Sequence, residues 1–258
     1  MANGMPHPIK GTVYLVGAGP GAPDLITLRG AEILRRADIV FHDALVHPDT
    51  LEIAAYAEKV AVGKRCGRHS TAQRFINKRL VDAARRFKTV VRLKGGDPML
   101  FGRAQEEITA LRAAGIPFEI VPGVTAALAA SAQVGVSLTQ RGRSRTVTFL
   151  TPRAGAGEPP NDWAASAAAS DTVVVYMGAG EAAPIAQDLL GHGVPAHTPL
   201  VVVENASLSS SRSYRFTLAE LPQLHALGLE GPAIIMLGEV FDELAEQVIV
   251  DLARAVPR

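Results

Sequence analysis

Apolar and polar positions alternate along this chain with two different periods. Short runs rich in Val, Ile and Thr read as strands: "TVYLVG" (12–17), "DIVFHD" (38–43), "KVAVG" (59–63), "TVVRLKG" (89–95) and "FEIVPG" (118–123). A second set follows: "RTVTFLT" (145–151), "TVVVYMG" (172–178), "PLVVVEN" (199–205), "SYRFTL" (213–218) and "PAIIMLG" (232–238). Between strands the period lengthens to that of a helix. "LRGAEILRRA" repeats apolar residues at Leu28, Ala31, Leu34 and Ala37. Ser70 with Gln73 forms a capping-box signal ahead of the stripe Phe75, Ile76, Leu80, Ala84 and Phe87. Strands that alternate with helices predict an α/β fold of two α/β domains with mainly parallel sheets. The polar, basic stretch "VSLTQRGRSR" (136–145) separates the two sets and places the domain boundary near residue 140, giving domains 1–140 and 141–258. "RAGAGEPPND" (153–162) reads as a surface loop inside the second half.

The strand ends share a feature. Gly17, Asp43, Gly63, Gly95-Gly96-Asp97, Gly123, Gly178 and Glu204-Asn205 each close a predicted strand. In open α/β sheets the ligand crevice lies beyond the carboxyl ends of the strands, and glycine there lets backbone approach a ligand. Any one of these glycines could merely end a strand; the series favours a binding rim.

Composition adds mainly exclusions. The 258 residues are 48% hydrophobic and 20% charged with a formal net charge of +1, so no global field draws nucleic acid or a membrane surface. Cys66 is the single cysteine, which rules out an intrachain disulfide and fits a reducing, cytoplasmic setting. The opening "MANGMPHPIKG" lacks the features of a secretory signal, and no apolar run approaches the ~18 residues of a membrane span. HExxH, CxxC, Walker A and G-x-S-x-G patterns are missing, so no metal is expected.

The glycine loop after the first strand, "VGAGPGAPDLIT" (16–27), matches G-x-G-x-x-A at Gly17, Gly19 and Ala22 and so raises a nicotinamide dinucleotide. Asp43, ~20 residues on, stands where a ribose-binding acid would. Pro20 lacks the N–H that a phosphate cradle uses, and Pro23 delays the helix to about Thr27. Pyrophosphate binding needs the helix N-terminus directly on the loop. The nicotinamide-dependent oxidoreductase is therefore the weaker reading.

Other stretches carry charge. "VVRLKGGDPMLFGR" (90–103) delivers Lys94, a Gly-Gly-Asp-Pro turn and then Arg103. "VGKRCGRHS" (62–70) places Lys64, Arg65, Arg68 and His69 after a strand, and "TQRGRSR" (139–145) sets arginines at 141, 143 and 145. Such runs also suit a solvated face, but guanidinium forks capture carboxylates in bidentate fashion. Three clusters at strand ends and the presumed linker point to a polyacidic small-molecule substrate, with Arg65, Arg103 and Arg141 as candidate contacts.

"YLVGAGPGAPDLITL", "VGKRCGRHS", "RLKGGDPMLFGR", "PGVTAA", "YMG" and "VVVEN", in this order, resemble the tetrapyrrole methylase family over residues 11 to 245. "VGKR" with "RLKGGDP" is similar to the members that C-methylate uroporphyrinogen III. The resemblance implies an interdomain active-site cleft, S-adenosyl-L-methionine as cofactor and a cytoplasmic homodimer. It also implies two successive methyl transfers that yield precorrin-2 for sirohaem or cobalamin. By motif it assigns cofactor contacts to Pro20, Gly95, Gly96, Asp97, Leu100, Thr125, Ala126, Met177 and Ala206. Asp43 falls at the proton acceptor and Lys64 at the proton donor. The chain departs from the family at Gln140 and Pro152-Arg153, where histidines are usual, and at Ala206, where glycine is usual. Those departures leave open a methylase for another corrin precursor or anionic acceptor.

Overall fold

The computed structural model describes residues 11–62, 73–155, 157 and 161–244, together with the backbone of Val250–Asp251. By packing, the chain divides into two compact units, Met1–Thr125 and Ala126–Arg258.

The first unit is a five-stranded, wholly parallel sheet. Its strands are β1 (Thr12–Gly17), β2 (Ile39–His42), β3 (Glu58–Ala61), β4 (Thr89–Lys94) and β5 (Phe118–Val121), in the order β3-β2-β4-β1-β5. Helices α1 (Leu28–Arg35), α2 (Pro48–Glu52), α3 (Gln73–Ala84) and α4 (Ala104–Ala113) connect them. Val13, Leu15, Phe41 and Val90 point to one face, against Ile76, Leu80, Ile108 and Leu111 of α3 and α4. Val16, Val40, Val91 and Leu93 point to the other, against Ile33 and Leu34 of α1. Full burial of a Leu side chain such as Leu80 or Leu111 contributes about 1.5–3 kcal/mol.

Two stripe positions differ from expectation. Leu28 is 85% exposed and Phe75 is 51% exposed. Leu28 is the first residue of α1, so the buried face runs instead through Gly30, Ala31, Ile33 and Leu34. In α3 the neighbouring Ile76 takes the core position, and the Arg79 guanidinium lies 5.7 Å from the Phe75 ring.

The second unit carries a six-stranded sheet in the order β11-β9-β8-β10-β7-β6. The strands are β6 (Val147–Leu150), β7 (Thr172–Val175), β8 (Pro199–Glu204), β9 (Arg212–Thr217), β10 (Ala233–Leu237) and β11 (Val250–Asp251). Here the expectation of mainly parallel strands is corrected. β6–β7 and β9–β11 are parallel, but β8–β9, β8–β10 and β7–β10 are antiparallel. The turn between β8 and β9 is too short for a crossover helix, so the chain must reverse.

Helix α5 (Ala126–Val134) buries Ala127, Ala130 and Val134 with Val174, Val201, Val203 and Met236 on one face of this sheet. Helices α6 (Trp163–Ala168) and α7 (Ala182–Gly191), with the 3-10 segment Leu218–Leu227, cover the other. That burial of α5 draws the division to 125/126 rather than to the polar stretch near 140, which lies inside the second unit. Among the described residues no helix is long and apolar enough to cross a membrane.

Candidate active site

The adjacent ends of β1 and β4 part in opposite directions. The chain after β1 leads to α1 on one face of the sheet, and the chain after β4 leads to α4 on the other. A crevice opens at such a topological switch point. Both strands end there in glycine-rich loops, and the loops are joined. Gly19 N–H donates to Gly96 O at 3.3 Å, Gly96 N–H donates to Gly19 O at 2.7 Å, and Ala18 N–H donates to Lys94 O at 2.7 Å. Gly17 has no room for a side chain: a Cβ there would lie 2.6 Å from Gly123 Cα and 2.7 Å from Gly96 O. Helix α1 starts only at Leu28, capped by the Thr27 hydroxyl, which accepts from Gly30 N–H at 3.1 Å. Pro23–Leu25 forms a separate 3-10 turn between loop and helix. The Gly19 and Gly96 amides therefore bond to each other's loop, and α1 does not start on the glycine loop.

Asp97 closes the second loop. Its Oδ1 accepts from Met99 N–H at 2.8 Å and its Oδ2 from Gly123 N–H at 2.8 Å. The carboxylate clamps the turn after β4 to the end of β5. A Cβ on Gly96 would meet nothing closer than Thr125 Cα at 3.9 Å, though φ there is +67°. Leu100 N–H donates to Asp97 O at 3.4 Å. Phe101 and Arg103 follow with φ of 51° and 55°, the left-handed region that costs a non-glycine residue energy and that collects at functional sites. Arg103 forks onto Glu106 through Nε at 2.6 Å and Nη2 at 2.9 Å, and this hydrogen bonding raises its pKa.

Beneath the loops lies a group of charges that the strand pattern hides. Arg92 and Lys94 of β4 are each 3% exposed and Glu107 of α4 is fully buried. Arg92 Nε donates to Glu107 Oε1 at 2.9 Å, and its Nη2 donates to Asp43 Oδ1 at 2.5 Å. Lys94 Nζ lies 3.2 Å from both oxygens of Glu107. Gln73 Nε2 donates to the same carboxylate at 3.2 Å. Burial pushes the Lys94 ammonium below its ordinary pKa and the adjacent Arg92 adds to this, while Glu107 and Asp43 pull the other way. Burial also opposes the Arg92 charge, but the Asp43 and Glu107 carboxylates outweigh it and raise its pKa. Two cations thus face two carboxylates. Arg92 and Glu107 escaped the motif reading, although each has a signal. Arg92 and Lys94 alternate on one strand face, and Glu107 falls on the apolar stripe of α4 with Ala104, Ile108 and Leu111.

In the second unit the candidate residues sit on loops at strand ends. Ala126 begins α5, and the next amide, Ala127 N–H, donates to the Tyr176 hydroxyl at 3.2 Å. Met177 beside it has φ of 56° and is 44% exposed. Ala206 is buried between two left-handed residues, Asn205 (φ 52°) and Ser207 (φ 73°), and is not itself in that region. The Gln133 side chain holds this turn by accepting from Ser207 N–H at 3.0 Å. Glu204, fully buried, accepts from the amides of Glu230 and Gly231 and from Arg212. Arg141 is exposed at the tip of a turn closed by paired backbone bonds between Gln140 and Ser144. Arg153 approaches Gly180, its Nη2 lying 3.8 Å from where a Cβ would sit. The structure joins Pro20's loop, Gly95, Gly96, Asp97 and Gly123 at one rim, with Asp43 tied to β4 by Arg92. Lys64, Arg65, Cys66, Arg68, His69 and Ser70 lie outside the described residues, as does Gly63.

A profile of the tetrapyrrole (corrin/porphyrin) methylases matches residues 12–222. Siroheme synthase 1 of Yersinia enterocolitica is 46% identical over 234 residues, which cover 90% of this chain and 49% of that one. The siroheme synthase of Chromobacterium violaceum is 47% identical over 240 residues, 92% of this chain and 51% of that one. The chain thus spans about half the length of the curated relatives it matches. Among solved structures, uroporphyrin-III C-methyltransferase of Thermus thermophilus complexed with S-adenosylhomocysteine is 40% identical with a TM-score of 0.79, covering 89% of this chain and 98% of that one. A cobalt precorrin-4 methyltransferase has 30% identity and a TM-score of 0.79 over 90% of this chain and 96% of its own. With a match across most of its length and relatives at this identity, the chain belongs to the tetrapyrrole methylases.

Proposed function

We propose that this chain is an S-adenosylmethionine-dependent C-methyltransferase that converts uroporphyrinogen III to precorrin-2 by two successive methyl transfers, in sirohaem and cobalamin biosynthesis. The observation that carries this reading is the closed pair of glycine loops, with Gly19 and Gly96 exchanging both backbone hydrogen bonds, on a chain that covers nearly all of a methyltransferase of known structure. A dinucleotide would need those amides and a helix N-terminus beside them.

The residues fit such a donor. Gly95 and Gly96 offer backbone without side chains, and Asp97 is occupied in holding them. Arg92 and Lys94 are balanced by Asp43 and Glu107, so no net positive charge under the rim repels a sulfonium. When bound, S-adenosylmethionine supplies an electrophilic methyl group. In this reading Pro20, Gly95, Gly96, Asp97, Leu100, Thr125, Ala126, Met177 and Ala206 hold it. Methylation of a ring carbon leaves a cationic macrocycle that must lose a proton, and in this reading Asp43, with a side chain 31% exposed, accepts it. Lys64 serves as proton donor. Arg65, Arg103 and Arg141 receive substrate carboxylates, Arg103 by exchanging Glu106 for one. A cytoplasmic homodimer completes the reading, and light scattering on the purified protein tests its stoichiometry.

Incubation with uroporphyrinogen III and S-adenosylmethionine should give a product with two added methyl groups, heavier by two CH2 because each transfer releases a proton. Asp43→Ala should keep S-adenosylhomocysteine affinity while kcat falls about 10²–10⁴-fold. Saturable NAD binding without S-adenosylhomocysteine binding would overturn the assignment. Gln140 and Pro152-Arg153 favour a second reading, methylation of another anionic corrin precursor; turnover of such an acceptor with none of uroporphyrinogen III would establish it.

A further inference from the structure

Four of the five N–H groups of the Arg92 guanidinium donate to named partners. Nε meets Glu107 Oε1 at 2.9 Å, and Nη1 meets the carbonyls of Phe41 at 3.4 Å and Leu93 at 3.2 Å. Nη2 is left to aim at Asp43 Oδ1, 2.5 Å away. A planar fork held through Nε and Nη1 has the direction of its Nη2 fixed as well. Asp43 is tied to the same strand by its backbone, its N–H donating to Leu93 O at 3.2 Å. Glu107, fully buried, supplies the fixed point, and Lys94 at 3.2 Å from both its oxygens holds that carboxylate in turn. The chain of contacts runs from the core, through Lys94, Glu107 and Arg92, to a carboxylate at the rim.

The geometry points to Arg92 as the positioning residue of Asp43, with Glu107 as the anchor that sets the direction of the Arg92 fork. This rests on the reading of Asp43 as the proton acceptor. A base must meet its proton at hydrogen-bond range, and a displacement of about 1 Å can cost about 100-fold in rate. Lys at position 92 would keep the charge but lose the fork, so it could not hold Asp43 and Glu107 in one plane.

The test uses the full chain with Arg92→Lys, and Glu107→Gln as a second variant should the first not fold. With either variant kcat should fall about 10- to 100-fold, while acceptor KM and S-adenosylhomocysteine Kd stay within about twofold of wild type. Crystal structures should show the Asp43 carboxylate displaced from its wild-type position. A kcat within about twofold of wild type, a matching loss of S-adenosylhomocysteine affinity, or an unmoved Asp43 carboxylate would each overturn the inference. If the wild-type protein transfers no methyl group, the function reading fails, and the position of Asp43 in the variant crystal then decides the positioning claim alone.

Discussion

Asp97 and Gly123 are joined across two strands: the Asp97 Oδ2 accepts from the Gly123 N–H at 2.8 Å, while Oδ1 accepts from Met99 N–H at the same distance. A motif acid that looks like a ligand contact thus spends both oxygens on the protein's own backbone. Asp97→Ala should destabilise the fold by about 1–3 kcal/mol, since it strands amides near the rim. It should also weaken S-adenosylhomocysteine binding at least about tenfold, because the Gly95-Gly96 backbone is no longer held. Urea unfolding and calorimetric titration check the two outcomes; Asp97→Asn, which keeps one acceptor oxygen, should fall between.

Gly17 and Gly96 are needed for different reasons, and alanine separates them. At Gly17 the new Cβ would meet backbone at 2.6 Å, which cannot yield without moving the loops, so Gly17→Ala should cost at least about 3 kcal/mol. At Gly96 there is space and only the positive φ opposes, so Gly96→Ala should cost about 1–2 kcal/mol. Denaturant midpoints of the two variants give the comparison directly.

Lys94 should make stability depend on alkaline pH. Its folded pKa lies below the ordinary lysine value of 10.5, so in the window between them the unfolded chain binds more protons. The contribution of this group to stability therefore rises with pH across that window, and below it the cost of burying the ammonium is carried in full. Tyr214, raised by burial, has the opposite slope, since the unfolded chain loses that proton first. Comparison with Lys94→Met cancels Tyr214: from neutral pH to alkaline pH, wild type should gain stability relative to the variant, measured by urea unfolding.

Ala206 tests whether a departure from the family pattern has a conformational cost. Its backbone is outside the left-handed region, unlike both neighbours, so nothing there requires glycine. Ala206→Gly should lower stability by about 0.5–1 kcal/mol through the freedom it adds to the unfolded chain, with S-adenosylhomocysteine affinity unchanged. Thermal unfolding and titration of the variant read both.

The strands and the glycine rim were legible because buried parallel strands are continuous apolar runs that must end in turns. The delayed start of α1 at Thr27 followed from Pro23 alone. Leu28 and Phe75 were misplaced because a helical period defines a stripe but tolerates a shift of one residue at its ends. The antiparallel pairs of the second sheet were illegible in strand content, since the apolar runs of β8 and β10 look the same in either direction.

Local chemistry along the chain was enough to announce an α/β protein with glycine-rich loops at its strand ends, and the order of its motifs was enough to announce the family. What lay beyond reach was which charges meet. Arg92 finds Asp43 across 49 residues and Glu107 across 15, because parallel pairing sets Phe41 opposite Arg92 and α4 folds back onto that face. Periodicity reports which side of an element is buried, but partners on separate elements are chosen by register and packing, and these exist only once the chain has folded.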